Sequence, residues 1–235
     1  MQTSSVLIIV PAYNESATLA NTIRHLQEIT KDKMDILIVN DGSKDNTGEI
    51  AESLGVSVVH MPYNMGIGSA MQTGYLYAAE NHYDVAIQFD ADGQHPAHQI
   101  EHLLSYIESG QADFVIGSRF REKTDYRGSV MRRIGIYYFS GLLRLLTGKQ
   151  FTDPTSGFRA ANTAVIQEFA KEYPYDYPEP EVLISLQRKG YRLMETSVNM
   201  RERQGGVSSI HAFKSFHYMV KVTLAILMHT FAKGE

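Results

Sequence analysis

The chain has 235 residues, of which 43% are hydrophobic, and this is enough apolar material for one sizeable domain. It contains no cysteine, which excludes a disulfide framework and a thiolate metal site. The formal net charge of −4 argues against a nucleic-acid-binding protein. No basic region precedes the first apolar run, which is only as long as a strand, so we expect no secretion signal.

Short apolar segments rich in β-branched residues alternate with longer helical segments. We predict strands near residues 6–10, 36–40, 56–60, 85–89 and 113–117. We predict helices near residues 16–29, 46–54, 68–81, 97–109 and 160–171. This order predicts an α/β fold with a mostly parallel, doubly wound sheet flanked by helices. The ligand crevice of such a sheet lies beyond the carboxyl ends of its strands, where the sequence places Pro11, Asp41, Asp90 and Gly117.

Two carboxylates, Asp90 and Asp92, follow the fourth predicted strand and precede Gly93. A turn that begins at Gly93 lets both converge on one hard cation such as Mg²⁺ or Mn²⁺, which would hold a diphosphate. An isolated Asp-x-Asp after a strand is more often a solvated turn. The metal prediction therefore depends on the other segments that meet at this edge of the sheet.

Two nearby patterns favour structural roles over cofactor binding. The glycines at 66 and 68 are spaced as in a dinucleotide-binding fingerprint, but Met71 occupies the place of its third glycine. We expect these glycines to let backbone pass close to a nucleotide and to start a helix. Two of the three histidines after the acidic pair have the i, i+4 spacing of zinc ligands, yet no third partner stands out. We expect solvated side chains for His95, His98 and His102.

Basic residues are concentrated between Arg119 and Lys149. This range contains eight Lys or Arg and two acidic residues, so it has a local excess of six positive charges. The plain interpretation is a solvated helix face. The functional one is a surface for phosphate groups or anionic lipid, favoured because the block directly follows the predicted crevice. This part of the chain includes an apolar stretch at 134–146, in which the residues expected to insert into a bilayer interface are Phe139, Leu142 and Leu146.

The C-terminal segment carries a second apolar stretch between residues 220 and 228, which Lys221 interrupts. It is too short and too interrupted to span a membrane. An interfacial helix and a packed or oligomer-forming helix are the two interpretations. We divide the chain into a catalytic domain, residues 1–212, and this C-terminal helix, residues 213–235.

Four segments together resemble the inverting glycosyltransferases of family 2, whose nucleotide-binding fold is called GT-A. These segments are residues 6–15, 36–47, 90–93 and 153–159, and the similarity extends to about residue 210. Within the family, the chain is most similar to enzymes that move a sugar onto a polyprenyl phosphate, such as the dolichol-phosphate mannose synthases. Residues 92–96, 117–119 and 203–208 carry that similarity.

The resemblance implies roles for individual residues on the donor side. It implies that Asp90 and Asp92 bind Mg²⁺ or Mn²⁺, with Gln94 as a third ligand. It implies that Asp41 pairs with the base or ribose, and a carboxylate that accepts from an imide N–H favours uracil over cytosine without excluding guanine. The remaining residues expected around the nucleotide-sugar are Pro11, Tyr13, Asn14, Glu15, Gly66 and Ala91.

The resemblance also implies an acceptor side. Two prolines fix a turn before a helix that ends at Gly190, and the family's catalytic base occupies the entrance of that helix, at Glu179 with Glu181 as the alternative. Acidic residues at such an entrance also simply complement the helix dipole. Diphosphate or acceptor-phosphate contacts are implied for Arg119, Arg132, Arg133, Arg159, Arg203 and Ser208. For Arg132, Arg133 and Arg159, a structural salt bridge is an equal alternative.

We therefore expect a metal-dependent inverting glycosyltransferase that moves a sugar from a UDP-hexose or UDP-N-acetylhexosamine to a polyprenyl phosphate for cell-envelope glycan synthesis. The alternatives are transfer to a hydroxyl group of a growing surface polysaccharide and a catalytically silent nucleotide-sugar-binding subunit. We expect a cytoplasmic protein, peripheral at the inner face of the plasma membrane. The membrane surface, a small membrane-protein partner and a second copy of the chain are the candidate macromolecular partners, and nucleic acid is not one.

Overall fold

The computed structural model describes residues 4–31, 33–122, 130–175 and 178–200, together with residue 219 and residues 221–224. The strands of this part of the chain are β1 (Val6–Ala12), β2 (Asp35–Asn40), β3 (Ser57–His60), β4 (Val85–Gln88), β5 (Phe114–Ser118), β6 (Arg159–Asn162) and β7 (Leu193–Ser197). The helices are α1 (Leu19–Thr30), α2 (Thr47–Ser53), α3 (Ile67–Glu80), α4 (Ile100–Glu108), α5 (Val130–Thr147), α6 (Thr163–Lys171) and α7 (Pro178–Arg188). A 3₁₀ turn at Ala97–Gln99 precedes α4.

The predicted α/β architecture is confirmed, since the five predicted strands appear as β1 to β5 and the first four predicted helices as α1 to α4. The helix predicted at 160–171 is wrong at its start, because residues 159–162 form β6. Helix α6 begins at Thr163, and its N-cap Asn162 accepts a hydrogen bond from the backbone N–H of Val165 at 3.0 Å. Strand β7 was not predicted. The boundary predicted at residue 212 lies outside the described residues.

In the described sheet the strand order is β3-β2-β1-β4-β6-β5-β7, and β6 alone runs antiparallel to its neighbours. Arg159, the first residue of β6, pairs in register with Gln88 at the end of β4 and with Ile116 in β5. The chain therefore enters β6 from the edge at which β4 and β5 end. All other pairings in the described sheet are parallel.

Two apolar layers cover the two faces of the sheet. Ile8 and Val10 pack in one layer with α1, α2 and α4, while Leu7 and Ile9 pack in the other with α3, α5, α6 and α7. Successive residues of a strand point to opposite faces, so a central strand buried on both faces needs apolar side chains at consecutive positions. This requirement explains the continuous apolar runs in β1, β2 and β4.

Pro11 lies inside β1 rather than breaking it, and it pairs in register with Val39 of β2. Alternate backbone groups of β1 point toward β2 and toward β4. The carbonyl of Ala12 accepts from Asp41 on the β2 side, and the carbonyl of Ile9 accepts from Phe89 on the β4 side. The missing N–H of Pro11 therefore faces β4 just beyond their last paired residues, Ile9 and Gln88, so the β1–β4 pairing ends where proline cannot donate.

Helix α5 presents a different face to the core than the sequence suggested. Phe139 is 0% exposed in the core layer of α3 and α6, with Leu142 and Leu146 packed partly against that layer, so Phe139 is unavailable for the predicted insertion into a bilayer. The large apolar side chains of α5 that face outward are Ile134, Tyr137, Tyr138 and Leu145, which are between 41 and 81% exposed. Among the described helices, none combines the length and the apolar character needed to cross a bilayer.

Gly68, in the first turn of α3, sits where the chain after α6 crosses the helix. A Cβ at this position would lie 2.1 Å from the carbonyl oxygen of Pro174 and 2.2 Å from that of Tyr175. These atoms belong to backbone, so they cannot swing aside as a side-chain end would. Gly68 thus permits the close packing of α3 against the segment that leads to α7.

We expect Gly68→Ala to lower the free energy of unfolding by about 1–3 kcal/mol, because the added methyl group overpacks this crossing. The matched control is Gly141→Ala in α5, where a Cβ meets nothing within 4 Å. That change should raise the stability by up to about 1 kcal/mol through helix propensity. Urea unfolding followed by circular dichroism measures both, and equal effects of the two substitutions would contradict the packing argument.

Candidate active site

The carboxyl ends of β1, β2, β4 and β5 and the beginning of β6 meet at one edge of the sheet. This is the edge at which the sequence placed Asp41 and Asp90. Side chains that follow these strands are therefore brought together from segments far apart in the chain. The arrangement makes this edge the candidate active site.

Asp90 and His95 form a closed pair just after β4. The backbone N–H of Asp90 donates to His95 Nδ1 at 3.0 Å, and His95 Nε2 lies 3.3 Å from Asp90 Oδ2. Because Nδ1 accepts, the ring proton is on Nε2, which donates to the carboxylate. The imidazole packs against the rings of Phe89 and Phe158, at centroid distances of 5.2 and 5.1 Å.

The expectation that the three histidines are solvated is wrong for His95, which is 5% exposed. It holds for His98 and His102, which lie on the surface. His102 Nε2 is 2.6 Å from Thr196 Oγ1, so this ring bridges α4 and β7. The sequence signal that distinguishes His95 from the other two histidines is its position in the same turn as Asp90 and Asp92. From that position its side chain can reach a carboxylate of the pair.

The surroundings of Asp90 favour its ionised form. Burial alone would raise the pKa of this carboxyl, but attraction and a hydrogen bond from His95, a hydrogen bond from Gln88 and the charge of Arg119 together hold the pKa below its usual range. The side chain is still 37% exposed. Asp90 is thus an anion that is fixed in place and open on one side, as a cation ligand needs to be.

Asp92 and Gln94 continue this turn. Asp92 is 9% exposed, and its Oδ1 accepts from the backbone N–H of Gln94 at 3.0 Å. Between Asp90 and Asp92, Ala91 is buried in the core and its carbonyl accepts from Thr22 Oγ1 at 3.0 Å. Among the described residues, no group of three or more His, Cys, Asp or Glu side chains is arranged to hold a metal ion. Two carboxylates and an amide oxygen fit a hard divalent cation whose other ligands come from substrate and water.

The loop after β1 is tied to the loop after β2 by several hydrogen bonds. Asn14, which has a φ of +53°, accepts at Oδ1 from the backbone N–H of Lys44 at 2.8 Å. The remaining links run from the backbone N–H groups of Asn14, Glu15 and Ser16 to Ser43, Thr47 and Asp45, respectively. Asn is among the residues that tolerate a left-handed backbone, and here its side chain fixes the turn. Tyr13, at the tip, remains 40% exposed.

Asp41 anchors the start of α3. It is 3% exposed, and its two oxygens accept from the backbone N–H groups of Met65 and Gly66 at 2.8 and 2.9 Å. Burial raises the pKa of Asp41, and these two hydrogen bonds oppose that shift. Gly66, with a φ of +90°, is the N-cap of α3. The sequence did not indicate this contact, although each carboxylate oxygen retains a second lone pair for a ligand.

Arg119 is paired inside the protein rather than extended into the crevice. Its Nε and Nη2 donate to the two oxygens of Asp153 at 2.6 and 2.7 Å, and Arg119 as a whole is 4% exposed. Asp153 is itself 0% exposed, and Glu195 of β7 accepts from the backbone N–H groups of Thr152 and Asp153. This network fixes residues 152–153 between β5 and β7. The predicted phosphate role of Arg119 remains a prediction.

Arg159 and Glu179 complete the described site. Arg159 is 0% exposed, and its Nη2 donates to the backbone carbonyl of Glu179 at 2.9 Å. Burial raises the pKa of the Glu179 carboxyl, the charge of Arg159 lowers it, and the charge of Asp90 raises it again. The charge of Asp90 thus acts on Glu179, which is half-buried. A carboxyl with a raised pKa is suited to take up a proton.

Other predicted site residues contribute less to this picture. Glu181 is half-buried in the first turn of α7, and Arg133 is exposed on α5. For Arg132 only the helical backbone is described. Arg203 and Ser208 lie outside the described residues, so their roles remain predictions.

Comparison with known proteins identifies the family. The sequence profile described as Glycosyl transferase family 2 matches residues 7–170. The chain is 32% identical over 215 residues to the undecaprenyl-phosphate mannosyltransferase of Micrococcus luteus, with 87% of each chain covered. It is 31% identical over 185 residues to the UDP-N-acetylglucosamine–dolichyl-phosphate N-acetylglucosaminyltransferase of Methanococcus voltae, with 71% of this chain and 73% of that relative covered.

A solved structure agrees with the fold. Glucosyl-3-phosphoglycerate synthase from Mycobacterium tuberculosis, in complex with Mn²⁺, UDP and glucosyl-3-phosphoglycerate, superimposes with a TM-score of 0.75 at 20% identity. The overlap covers 99% of this chain and 81% of that one, and it shows a common GT-A architecture. Since the profile spans more than half of the chain and the relatives align over most of their length, this protein belongs to glycosyltransferase family 2 and is a glycosyltransferase.

Proposed function

We propose that this glycosyltransferase moves a sugar from a nucleotide-sugar to a polyprenyl phosphate, with inversion at the anomeric carbon. The observation that carries the proposal is the single edge of the sheet that holds both Asp90, whose pKa is lowered, and the half-buried Glu179, whose pKa is raised by burial and by the charge of Asp90. Asp90 is suited to bind a cation that holds the donor, and Glu179 is suited to act on the acceptor. The two relatives described above are both named for transfer to a polyprenyl or dolichyl phosphate.

On the donor side, Asp41, Tyr13 and the loop around Asn14 would bind the nucleoside. Asp41 is held rigidly by Met65 and Gly66, so its free lone pairs have a fixed direction toward an imide N–H. This chemistry favours a UDP-sugar. One named relative is a mannosyltransferase, and the other uses UDP-N-acetylglucosamine. The sugar that we propose for transfer is therefore a hexose or an N-acetylhexosamine.

Asp90, Asp92 and Gln94 would hold Mg²⁺ or Mn²⁺, which stabilises negative charge on the diphosphate as it leaves. His95 keeps Asp90 in one rotamer, because the ring is fixed both by the Asp90 backbone and by two aromatic neighbours. Gly157 is needed beside this carboxylate, since a Cβ there would lie 3.0 Å from Asp90 Oδ2. The Asp90 carboxylate is thus held in its position before any ligand binds.

A second candidate function is transfer to a hydroxyl group of a growing surface polysaccharide, and the state of Glu179 favours it. In that reaction the acceptor oxygen bonds to the anomeric carbon, the bond from that carbon to the diphosphate breaks, and Glu179 takes the hydroxyl proton. A carboxyl whose pKa is raised by burial is a stronger base than a solvated one. A phosphate acceptor is already ionised and requires little base.

The first test addresses the donor and the metal. Thermal-shift screening against UDP-, GDP- and dTDP-sugars with Mn²⁺ should give the largest stabilisation for a UDP-sugar. Asp92→Asn keeps an oxygen for the Gln94 N–H but removes the charge, so it should abolish the metal-dependent part of that shift. It should also lower turnover by about 100-fold or more, because several kcal/mol of charge stabilisation are lost.

The control for this test is Asp35→Asn, at the opposite end of β2, where the carboxylate accepts from the Tyr83 hydroxyl at 2.8 Å. This variant should bind donor and metal as the unchanged protein does. Full turnover of Asp92→Asn in chelator-treated buffer would refute the metal assignment.

The second test separates the acceptors. Glu179→Gln should reduce transfer to a hydroxyl acceptor by about 10²–10⁴-fold, the usual contribution of a general base, and should reduce transfer to undecaprenyl phosphate far less. Glu181→Gln, one half-turn away in α7, is the matched control and should have a small effect on both. A larger effect of Glu181→Gln than of Glu179→Gln would reverse the assignment of the base.

We further propose that the protein acts as a peripheral protein at the inner face of the plasma membrane, through one face of α5. Ile134, Tyr137, Tyr138 and Leu145 are exposed on this helix, which contains no acidic residue. Arg133 and Arg144 are exposed beside them. Near it, Thr223 Oγ1 is 2.9 Å from the Tyr138 hydroxyl, and Leu224 is 55% exposed. Apolar and aromatic side chains with basic neighbours match an anionic bilayer surface.

The third test is vesicle flotation. Arg133→Glu with Arg144→Glu should weaken binding to phosphatidylglycerol vesicles at low salt by at least about tenfold, since each cation near anionic lipid contributes about 1 kcal/mol. Tyr137→Ser with Leu145→Ser should remove the salt-insensitive part. Leu76→Ser, exposed on α3, is the control. Equal binding to neutral and anionic vesicles, or none, would favour the polysaccharide acceptor, and a dimer lost in the same variants would assign this face to a second copy.

A further inference from the structure

Arg159 is the largest of the fully buried side chains in the described part of the protein, with a relative exposure of 0%. A guanidinium cannot shed its charge at ordinary pH, so burial of it is costly unless its surroundings compensate. Arg159 also stands at the first position of β6, beside the ends of β4 and β5. A costly group at the edge that carries the active site calls for an explanation beyond stability.

The contacts of Arg159 connect two segments of the site. Its Nε donates to the carbonyl of Ser156 at 2.6 Å, and its Nη2 donates to the carbonyls of Pro154 at 3.0 Å and Glu179 at 2.9 Å. Pro154 and Ser156 belong to the loop that brings Gly157 against Asp90. Glu179 belongs to the first turn of α7. One planar side chain therefore joins the metal-side loop to the helix entrance that carries the proposed base.

Most of the donors of Arg159 are used in this way, and its buried Nη1 finds no acceptor among the described residues. Its hydrogen bonds in this part of the chain all go to neutral backbone carbonyls rather than to a carboxylate. The positive charge is consequently not cancelled by an ion pair in direct contact. It remains effective on other groups nearby, in a region where burial weakens solvent screening.

We infer that Arg159 is a positioning residue: it fixes the first turn of α7, and with it Glu179, relative to the Asp90 loop. Its charge, which no ion pair with a described residue cancels, also acts on the nearby Glu179 carboxyl. The inference rests on the proposed role of Glu179 as the base. Arg159 itself is fully buried, so it acts through Glu179 and the loop rather than by touching substrate.

Within the part of the chain that the structure describes, four charged or titratable groups act on Glu179 from the elements around it. Arg159 from β6 and Arg119 from the end of β5 favour its ionised form, and Asp90 from the end of β4 opposes it. Tyr173, before α7, interacts with Glu179 and is held neutral by burial. Burial is the largest influence and raises the pKa of Glu179, while the charge of Arg159 is the largest influence that lowers it. Removal of that charge should therefore move the pKa of Glu179 further upward.

Two substitutions separate position from charge. Arg159→Lys keeps the charge but loses the planar fork, so it should lower kcat by at least about tenfold while the donor KM changes by less than about threefold. Arg159→Met loses both, so it should also shift the acid limb of the pH–rate profile upward by about one unit or more. Transfer from UDP-N-acetylglucosamine to a hydroxyl acceptor provides the assay, and transfer to undecaprenyl phosphate, which requires little base, should change less. Arg192→Met, which removes an exposed guanidinium paired with Asp113, is the control.

A second measurement does not require turnover. Because the pKa of Glu179 is higher in the folded than in the unfolded protein, its ionisation lowers stability as the pH rises from about 4.5, the ordinary value, through the folded pKa. Glu179→Gln should thus be more stable than the unchanged protein at high pH and equal to it below pH 4. In the Arg159→Met background this difference should reach its plateau at a higher pH. Thermal unfolding in chelator-containing buffer records it.

The outcomes distinguish the inference from the proposed function. If no acceptor is glycosylated by the unchanged protein, the proposed function fails, while the titration still tests Arg159. If the titration curves of the Arg159→Met and unchanged backgrounds superimpose, the inference is overturned whatever the activity. If Arg159→Met does not fold, the test rests on Arg159→Lys. A normal kcat in that variant overturns the inference, and a tenfold loss of kcat at an unchanged donor KM supports it.

Discussion

Strand β6 enters the sheet from the edge at which β4 and β5 end, and the described site depends on this reversal. A parallel strand at that position would begin at the opposite edge, and its preceding loop would lie far from Asp90. Because β6 is antiparallel, residues 153–158 must cross the catalytic edge before the strand begins. Gly157 passes against Asp90, and Asp153 reaches Arg119 at the end of β5. One change of strand direction thus brings the donor-side and acceptor-side segments together.

The crossing segment is held by buried charges more than by apolar contacts. Arg119 and Asp153 form a bidentate pair, and Glu195 accepts backbone N–H groups from the same segment. Buried ion pairs are often no more stabilising than apolar groups of equal size, so their presence here is weak evidence for stability. Their directional hydrogen bonds do fix a loop that has little regular structure of its own. We therefore interpret this network as a device for position, at the place where position matters to the chemistry.

The sequence predicted those parts of the fold that repeat a simple pattern. Strands β1 to β5 are apolar runs bounded by turns, and the acids that follow β2 and β4 fell at strand ends because the pattern of a parallel sheet requires it. Strand β6 escaped prediction because its four residues run directly into α6 without a turn, so one helical pattern seemed to cover both. Strand β7 was missed because polar residues occupy its last three positions, and Glu195 and Thr196 among them are buried, with Glu195 accepting hydrogen bonds inside the protein.

Side-chain roles were less predictable than elements, because they depend on contacts between distant segments. The sequence offered Arg119 and Arg159 as arginines near a phosphate, whereas the fold gives both of them buried partners in residues 153–156. His95 looked like one of three surface histidines, and only the return of residues 89–95 on themselves buries it against Phe89 and Phe158. On α5, helical periodicity alone does not say which stripe faces the core. The burial of Phe139 does so, by assigning the opposite stripe to the surface.

The raised pKa of Glu179 reconciles the two acceptor chemistries within one geometry. An ionised Glu179 beside Asp90 would repel a phosphate acceptor, and the cations Arg119 and Arg159 are already engaged within the protein. A protonated Glu179 removes one of those repelling charges and offers a hydrogen bond to a phosphate oxygen instead. An ionised one accepts a proton from a hydroxyl group. In the proposed function, the balance between burial and the charge of Arg159 therefore sets which of the two acceptors the site favours.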